Sequence, residues 1–363
     1  MPSLKQVTQA SIHFLVDNST EWFLKMPQPG FKHEMKYHLT DLEPPIDPLT
    51  GAPLLDAENY CCAAHGFSAL IIDEDTPSHL TLFDAGPDSR TITRNLAALE
   101  IPTEKIERMV LSHWHADHSG GVLAFLRTRN AVVTANKEGS VAACVFDLHP
   151  DRPIARAIAP GGKVVARLPP DPTFEQIKEL GGVVEKHSEG HVVADGTIYV
   201  SGEIPRVTEF EQGLPGAVRW RTESDEAQGE WVAEEDIMDE RYAAIDVVGK
   251  GLVILSACSH AGIVNVVRDA VQTLQRPVHM IIGGLHLCTA DLLERIPPTV
   301  DFLANRLRPA PAYILPMHCS GFDAKVALEK EFGEGCVPAG TGVRVDLTGD
   351  RDAERRMFAP LIA

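Results

Sequence analysis

The stretch from Leu111 to Gly121 constrains this chain most, because four metal-binding side chains fall within six of its positions. These side chains are His113, His115, Asp117 and His118. Neutral imidazole suits zinc, iron and copper, and a carboxylate adds a hard oxygen ligand. Alternate side chains of an extended loop point the same way. His113 and His115 are therefore predicted to face one ion, and Asp117 and His118, beyond the turn, to face a second.

The segments on either side of this motif predict a loop that is rigid at both ends. Ile106 to Leu111 reads as a short buried strand, and Ser119 to Arg129 carries apolar residues at helical spacing. Gly120 and Gly121 allow the helix to begin close beneath the loop. The alternative is a histidine-rich surface loop that binds no metal, but the flanking strand and helix favour a metal site.

Other short apolar strands also end in loops that carry His or Asp. The residues at these ends are Asp84, His260, His318 and, at a fifth end, His286. A sheet that gathers its strand ends along one edge would bring these loops together. The pattern predicts an α/β protein in which two mixed sheets pack face to face with helices outside each, an αββα sandwich. Asp84 is expected to accept a hydrogen bond from a ligating histidine and fix its tautomer, with an ordinary turn aspartate as the alternative.

The remaining segments vary in how clearly they indicate an element. Gly249-Lys250-Gly251 predicts a hairpin between strands at Tyr242 to Val248 and Leu252 to Ala257, and Ile263 to Leu274 is an amphipathic helix. Ala131 to Ala135 is predicted to be a strand. Asn136 to Gly190 has no long periodic run, and we interpret it as an insertion near the active-site mouth, where loops often set specificity.

Charge and composition exclude some classes of protein. A formal net charge of −18 argues against non-specific binding to nucleic acid or to an anionic membrane surface. Nine acidic residues and no basic residue lie between Glu223 and Glu240, a run typical of a solvated insertion. Neither a signal peptide nor an apolar stretch of ~18 residues is visible. Seven irregularly spaced cysteines indicate free thiols, so a cytoplasmic location is expected.

The His-x-His-x-Asp-His motif at His113 to His118 resembles that of the metallo-β-lactamase superfamily. Further motifs, in the same order, resemble a subgroup named after the archaeal dihydropterin–ribofuranosylaminobenzene-phosphate synthase, many members of which are called metal-dependent hydrolases. These motifs are Leu15-Val16-Asp17-Asn18, Gly202-Glu203-Ile204-Pro205-Arg206, Cys258-Ser259-His260-Ala261-Gly262-Ile263-Val264-Asn265, Gly283-Gly284-Leu285-His286-Leu287 and His318-Cys319-Ser320-Gly321. The chain departs from the subgroup at Ala257, Leu285 and Ser320, where Gly, Phe and Thr are usual.

The resemblance implies the four-layer αββα metallo-β-lactamase sandwich as a single domain over residues 1–363. Insertions are expected at about 18–60, 136–190 and 205–241. The implied partner is a small-molecule substrate, with neither nucleic acid nor membrane. The oligomeric state stays open, because the unpaired loops could form a homodimer interface as well as a lid over the substrate.

The resemblance also implies two divalent metal ions, with zinc expected first and manganese or iron as alternatives. His113, His115 and His260 would hold the first ion, and Asp117, His118 and His318 would hold the second. Most branches use a histidine in a Gly-His-Thr loop and a later bridging aspartate, which this chain lacks. His260 is therefore the replacement ligand. The additional candidates are Cys258 as a thiolate, Glu203 near the usual histidine position, and His286, which would contact the substrate or support a ligand, with direct metal binding as the alternative.

The implied reaction is hydrolysis of an ester, lactone or phosphoester-type bond in a small substrate. Two ions ~3.5–4 Å apart would share a water and lower its pKa, so that the resulting metal-bound hydroxide attacks the carbonyl or phosphorus. Asp117 and His260 are the candidate catalytic residues, and Asp117 would orient the water and accept its proton. Arg206 is a candidate for binding a substrate anion, with a surface arginine as the alternative.

Three other functions stay open at this point. The first is the subgroup's non-hydrolytic condensation, in which a metal activates a pyrophosphate leaving group on a pterin. The second is an iron-loaded redox protein, although the sequence shows no flavodoxin-like domain. The third is a metal-binding sensor without catalytic activity.

Overall fold

The computed structural model describes residues 3–363 except residues 21, 24, 28, 34, 35, 37, 40, 41, 56, 77, 78, 136–140 and 223–228. In chain order, the strands are β1 (Gln6–Val7), β2 (Gln9–Val16), β3 (Phe31–Lys32), β4 (Ser68–Asp73), β5 (Leu80–Phe83), β6 (Ile106–Val110), β7 (Val145–Leu148), β8 (Arg156–Ile158), β9 (Ala166–Arg167), β10 (Val183–Lys186), β11 (His191–Val193), β12 (Ile198–Val200), β13 (Ala217–Thr222), β14 (Gly229–Ala233), β15 (Ala243–Val247), β16 (Gly251–Ser256), β17 (Val278–Gly284), β18 (Leu307–Arg308), β19 (Tyr313–Met317), β20 (Arg344–Thr348) and β21 (Leu361–Ile362).

Helices alternate with these strands mainly where parallel strands must be connected. The α-helices are α1 (Ser89–Ala98), α2 (Ala116–Ser119), α3 (Val122–Ala135), α4 (Phe174–Glu179), α5 (Ile263–Leu274), α6 (Ile296–Asp301), α7 (Phe322–Phe332) and α8 (Arg351–Glu354). Short 3₁₀ segments occupy Thr103–Lys105, Pro160–Gly162, Ala194–Gly196, Ala290–Arg295, His318–Ser320 and Gly333–Gly335, and a π turn occupies Phe302–Arg306.

Two large sheets form the centre of the molecule. The first has the strand order β10-β7-β6-β5-β4-β2-β20-β3, and β10, β7, β6 and β5 run parallel. The second has the order β11-β12-β15-β16-β17-β19, with β1 paired to β15, and β16, β17 and β19 run parallel. Each parallel set gathers the carboxyl ends of its strands at one edge, which is where the candidate metal-binding loops begin.

The side chains of the strands alternate between two apolar layers, as expected for sheets that are buried on both faces. In β2, Ile12 and Phe14 pack between the sheets, whereas Leu15 packs with the helices outside the first sheet. In β16, Val253 packs between the sheets and Ile254 packs with helices outside the second. Three apolar layers therefore separate four layers of backbone, and the predicted αββα sandwich is confirmed.

Several predicted elements have the bounds that the sequence indicated. The helix Ile263–Leu274 is as predicted, and the hairpin at Gly249-Lys250-Gly251 joins β15 to β16. Helix α5 buries Val264, Val267 and other apolar residues of one face against the second sheet. None of the helices that the structure describes has the length and apolar character that a membrane span requires.

The prediction of a strand at Ala131 to Ala135 was wrong, because these residues continue α3. A short apolar run fits either element, and no glycine or proline ends the helix before it. The segment from Asn136 to Gly190, which we interpreted as an insertion without a long periodic run, contains regular elements among its described residues. Strands β7 and β10 within it extend the first sheet, and α4 packs against that sheet through Ile177.

The acidic run from Glu223 to Glu240 is not simply a solvated loop, as the sequence had suggested. Residues 223–228 lie outside the described part of the chain. Beyond them, β14 pairs with β13, and with β8 and β9 these strands form a small antiparallel sheet. Glu234, Asp239 and Glu240 are buried. Each of these carboxylates is paired with an opposite charge or accepts hydrogen bonds, which offsets the free-energy cost of burying it.

A buried ion pair joins the two large sheets. Asp147 lies in β7 of the first sheet, and Arg241 lies just before β15 of the second. Arg241 Nη1 donates a hydrogen bond of 2.8 Å to the Asp147 carboxylate. Asp147 also lies 2.8 Å from His191 Nε2 and 3.1 Å from Arg108 Nη1. Burial would raise the pKa of Asp147, but the hydrogen bond to His191 and the charge of Arg241 hold that pKa well below its usual range.

Replacing Arg241 by Met is expected to lower the free energy of unfolding by about 3 kcal/mol, because it removes the buried guanidinium that pairs with the buried Asp147 carboxylate. Urea denaturation followed by circular dichroism measures the change. The matched control is Arg306→Met, which breaks a largely exposed pair with Asp301 and should cost at most about 1 kcal/mol. Equal losses in the two variants would show that the buried pair contributes nothing special.

Candidate metal centre

Five loops meet at the edge where the parallel strands of the two sheets end. They carry Asp84 after β5, His113–His118 after β6, Cys258–His260 after β16, His286 after β17 and His318 after β19. Gly120 and Gly121 let α3 begin close beneath the loop from Asp84 to Pro87, since a Cβ at either glycine would lie 2.0 Å from a carbonyl oxygen of that loop. The strand-end pattern in the sequence therefore predicted correctly that these loops meet at one edge of the fold.

The first predicted group of ligands is brought together in the structure. The ring centroids of His113 and His115 lie 4.6 Å apart, and those of His113 and His260 lie 4.9 Å apart. The rings of His115 and His260 are 5.0 Å apart. His113 Nε2 lies 3.0 Å from His115 Nδ1, while its Nδ1 lies 2.9 Å from Ser112 Oγ. All three imidazoles are buried.

The second predicted group forms beside the first. Asp117 Oδ2 lies 3.3 Å from His318 Nε2 and 3.7 Å from His118 Nε2. The ring of His118 is 4.4 Å from that of His113, so the two groups are contiguous. Asp117 Oδ2 also lies 3.6 Å from Nε2 of His65, a largely exposed residue at the mouth of the site that the sequence analysis did not identify.

Asp84 makes the contact that the sequence analysis predicted for it. Its Oδ2 lies 2.7 Å from His118 Nδ1, which directs His118 Nε2 towards the centre of the site. The same carboxylate accepts hydrogen bonds at 2.7 Å from the Ser112 amide and from Ser112 Oγ. Asp84 is fully buried and has a positive φ of 60°, an unfavourable backbone conformation that this network holds in place.

The Cys258 thiol lies between the two groups. Its Sγ is 3.1 Å from His118 Nε2. The donor atoms of His113, Cys258 and His260 all lie within 4.8 Å of one another, and so do those of Asp117, His118, Cys258 and His318. Cys258 is thus a possible ligand in both groups, whereas the sequence left its role open.

A third set of donor atoms adjoins these two. The Sγ of Cys319 lies 3.5 Å from that of Cys258, and both cysteines are free thiols. Donor atoms of Cys258, His286 and Cys319 lie within 4.8 Å of one another. Cys319 was not singled out from the sequence, although its position directly after His318 was a usable signal.

The bonding of His260 fits a metal ligand. Among the described residues, no group hydrogen-bonds to either ring nitrogen of His260, although both nitrogens are buried. A buried imidazole without a hydrogen-bond partner is costly unless another ligand occupies its lone pair. His318 Nε2, which faces Asp117, likewise has no hydrogen-bond partner among these residues. Imidazole, carboxylate and thiol groups are all side chains that bind divalent metal ions.

The electrostatics of the site are also those of a cation site. Burial lowers the pKa of His115 to about 3, and burial together with nearby imidazoles holds the pKa values of His113 and His260 well below the usual range. These histidines are therefore neutral, as metal ligands must be. Burial also disfavours charge on His118, but the Asp117 and Asp84 carboxylates outweigh it and raise the pKa of His118 to about 9.

Two predicted residues lie elsewhere. Glu203 is exposed and lines a separate cavity with His149 and Tyr199, so it is not among the grouped donors. Arg206 faces Asp236 at 3.4 Å and Met238 instead of the metal-ligand cluster. The Gly-Glu-Ile-Pro-Arg segment follows β12, whose carboxyl end lies at the same edge as that of β16, but the side chains of Glu203 and Arg206 contact other residues than the grouped donors.

Three consecutive residues that the sequence analysis did not identify hold the metal-ligand loops. Asp239 Oδ2 accepts a hydrogen bond of 2.7 Å from the Trp114 amide. The two carboxylate oxygens of Glu240 accept hydrogen bonds of 2.7 Å from the amides of His260 and its neighbour. Arg241 donates a hydrogen bond of 2.6 Å to the carbonyl oxygen of Leu111. We refer to residues Asp239-Glu240-Arg241 as the anchoring segment.

The site opens into a cavity of about 650 Å³. Its floor consists of candidate metal ligands, namely His115, Asp117, Cys258, His260, His286, His318 and Cys319. Residues of the small antiparallel sheet and of the loops beside it form one wall. The volume is in the range typical of small-molecule sites.

An αββα sandwich with buried imidazole, carboxylate and thiol donors at its strand ends defines a class of metal-binding protein. Consistent with this, the family described as the metallo-beta-lactamase superfamily matches residues 65–208. A solved structure, that of Tm1679, described as a metal-dependent hydrolase of the beta-lactamase superfamily, shares the fold. It superposes with a TM-score of 0.61 at 18% identity, covering 93% of this chain and 99% of that one.

Two archaeal sequences from Methanocaldococcus jannaschii resemble this chain over most of its length. The 7,8-dihydropterin-6-methyl-4-(beta-D-ribofuranosyl)-aminobenzene-5'-phosphate synthase is 29% identical over 274 residues, which are 74% of this chain and 85% of the synthase. An uncharacterised protein is 29% identical over 272 residues, 74% of this chain and 88% of its own length. Residues 65–208 thus match a metallo-β-lactamase superfamily domain, in agreement with the motifs of the sequence.

Replacing Asp84 by Asn is expected to weaken metal binding about 10- to 100-fold, because it removes the carboxylate that orients His118. Competition with a chromogenic chelator measures the dissociation constant. The matched control is Asp88→Asn, which alters only the N-cap of α1. If both variants bind metal as the parent protein does, Asp84 does not support a ligand.

Proposed function

We propose that this protein is a metal-dependent hydrolase that cleaves an ester, lactone or phosphoester-type bond in a small molecule. The observation that carries the proposal is the pair of contiguous donor groups on the floor of a cavity large enough for a small substrate. Superfamily members are mostly metal-dependent hydrolases, which supports the same reaction class.

In this proposal, His113, His115 and His260 hold one divalent ion, and Asp117, His118 and His318 hold a second. Cys258 lies close enough to both groups to contribute a thiolate to either. Zinc suits this mixture of ligands best, whereas manganese favours oxygen ligands over thiolates. When bound, divalent ions would polarise the substrate oxygen and make water more acidic at the cavity floor.

Asp117 is the residue of this chain best placed to handle protons. Burial would raise its pKa, but the charge of His118 and the contact with His318 hold the pKa of Asp117 well below its usual range, so the carboxylate stays ionised. A quarter of its side chain is exposed to the cavity, so it can accept a hydrogen bond from an attacking water and orient it. His65, largely exposed and 3.6 Å away, provides a route for the proton towards solvent.

The reaction balances as a simple hydrolysis. The water oxygen forms a bond to the acyl carbon or phosphorus, and the bond from that atom to the leaving oxygen breaks. Asp117 accepts a proton from the water, and the leaving oxygen takes up a proton to give the free hydroxyl group. General base catalysis of this kind contributes about 10²- to 10⁴-fold to a rate.

A second candidate is a condensation like that of the archaeal synthase, and the 29% identity over 274 residues is the observation in its favour. Its name describes an aminobenzene phosphate product bearing a dihydropterin. A condensation would use the metal centre to activate a leaving group, with an aromatic nucleophile in place of water. The two candidate reactions therefore differ in the group that attacks the substrate, which is water in hydrolysis and an aromatic nucleophile in condensation.

Metal content is the first test. We expect about two ions per chain in protein purified without a tag or chelator, and about one fewer in His260→Ala, because that imidazole has no other partner. Plasma mass spectrometry provides the count. His279→Ala is the control, because His279 begins β17 at the end remote from His286 and should not alter the count. Full loading of His260→Ala would remove His260 from the ligand set, and iron in place of zinc would favour a redox protein.

A substrate screen tests the reaction itself. We expect turnover of nitrophenyl esters, lactones or phosphodiesters with water as the only acceptor, and a loss of at least about 100-fold in Asp117→Asn. Absorbance or proton release measures the rates. No turnover of any of these substrates, together with product formation only when an aromatic nucleophile is added, would favour condensation instead.

A further inference from the structure

One wall of the 650 Å³ cavity is apolar. The small antiparallel sheet and the loops beside it contribute the wall residues, which are Ile158, Leu168, Pro169, Leu214, Pro215 and Val218. Ile158 is 49% exposed although it faces a concave surface. Apolar side chains left in water inside a cavity favour a ligand that covers them. We call these six residues the apolar wall.

The cation that borders the apolar wall cannot bind a substrate anion, because all its donors are used. Arg156 Nε donates to Glu234 Oε2 at 2.8 Å, and Nη2 donates to Glu234 Oε1 at 2.7 Å. Nη1 donates to the Trp114 carbonyl oxygen at 2.6 Å and to Asp239 at 3.3 Å, and Nη2 also donates to Asp239. A guanidinium group has five N–H donors, and these five contacts engage all of them.

The other charged groups of the cavity are acidic. Asp117 and Asp291 line it, and among the described lining residues Arg156 is the single lysine or arginine. Together, Arg156, Glu234 and Asp239 carry a net negative charge. Apart from His65 and the candidate metal ligands, the described lining residues therefore offer no free lysine or arginine to a phosphate, and the acidic groups of the cavity oppose one.

We infer that the substrate is an uncharged carboxylic ester or lactone whose acyl chain or aryl ring lies against the apolar wall, and that it carries no phosphate. This inference rests on the proposed hydrolase function, and it narrows that function to one of its bond classes. Water adds its oxygen to the acyl carbon, the bond from that carbon to the ester oxygen breaks, and the alcohol leaves with a proton. The apolar wall would select the acyl group by burying it.

The first experiment compares 4-nitrophenyl esters from acetate to octanoate, with 4-nitrophenyl phosphate and a bis-phosphodiester alongside. Each methylene that becomes buried is expected to raise kcat/KM by about fourfold, so burial of about three of the six additional methylenes would make octanoate a better substrate than acetate by about 60-fold. Both phosphate substrates should be turned over more slowly than octanoate. A preference for acetate, or for either phosphate substrate, would overturn the inference.

The second experiment measures binding without turnover. The full-length protein as purified is titrated with Nile red, an uncharged apolar dye, and 1-octanol or phenyl phosphate is added as a competitor. Leu214→Glu and Leu168→Glu should each weaken dye binding at least about tenfold, and octanol should displace the dye where phenyl phosphate does not. Val165→Glu is the matched control, because Val165 is 62% exposed, precedes β9 and does not line the cavity.

The two experiments separate failure of the inference from failure of the proposed function. If the wall variants lose dye binding but no ester is hydrolysed, the apolar site stands and the hydrolase proposal fails. If phosphodiesters are hydrolysed and dye binding is the same in all variants, the hydrolase proposal stands and the inference fails. Circular dichroism confirms that each variant is folded, and Leu214→Ala, which shortens the side chain without adding charge, should still lower the octanoate preference.

Discussion

The anchoring segment, Asp239-Glu240-Arg241, is the constraint on which the site depends. Its first two residues use buried carboxylates to hold backbone amides of two different loops, that of Trp114 after β6 and that of His260 after β16. These loops belong to opposite sheets. Three consecutive residues therefore fix the distance between the imidazoles carried by these two loops. Sheet packing alone would hold that distance less firmly.

Holding the loops in this arrangement is unfavourable without a cation. Asp84, His286 and His318 all adopt positive φ angles, which for non-glycine residues cost of order 1–3 kcal/mol each. The imidazole of His260 is buried without a hydrogen-bond partner among the described residues. Because a ligand that binds the folded state stabilises it, a metal bound here would offset these costs and couple stability to metal occupancy. The unfavourable local geometry is thus consistent with a preorganised binding site.

Sequence reasoning succeeded where the information is local. The motif from His113 to His118 and the apolar strands that end at Asp84 and His318 placed the site within the fold, because a strand end and its loop are adjacent in sequence. It failed for Glu203 and Arg206, because a segment that begins at the right edge of a sheet can still direct its side chains to other partners, as Arg206 faces Asp236. Likewise, a run of acidic residues has the composition of a solvated loop, and nothing local reveals that Asp239 is buried against Arg156.

Arg156 also explains how residues of the apolar wall can be replaced without moving the loop that carries the candidate metal ligands. It lies in β8 of the small sheet, yet it donates a hydrogen bond to the carbonyl oxygen of Trp114, between the first two histidines of the motif. The small sheet is therefore connected to the metal-ligand loop by a hydrogen bond to the backbone of that loop. Wall residues such as Leu214 and Val218 project into the cavity without taking part in this connection. Replacing these wall residues can therefore change which acyl group fits in the cavity. The hydrogen bond from Arg156 to the Trp114 carbonyl oxygen, and with it the position of the candidate ligands, stays the same.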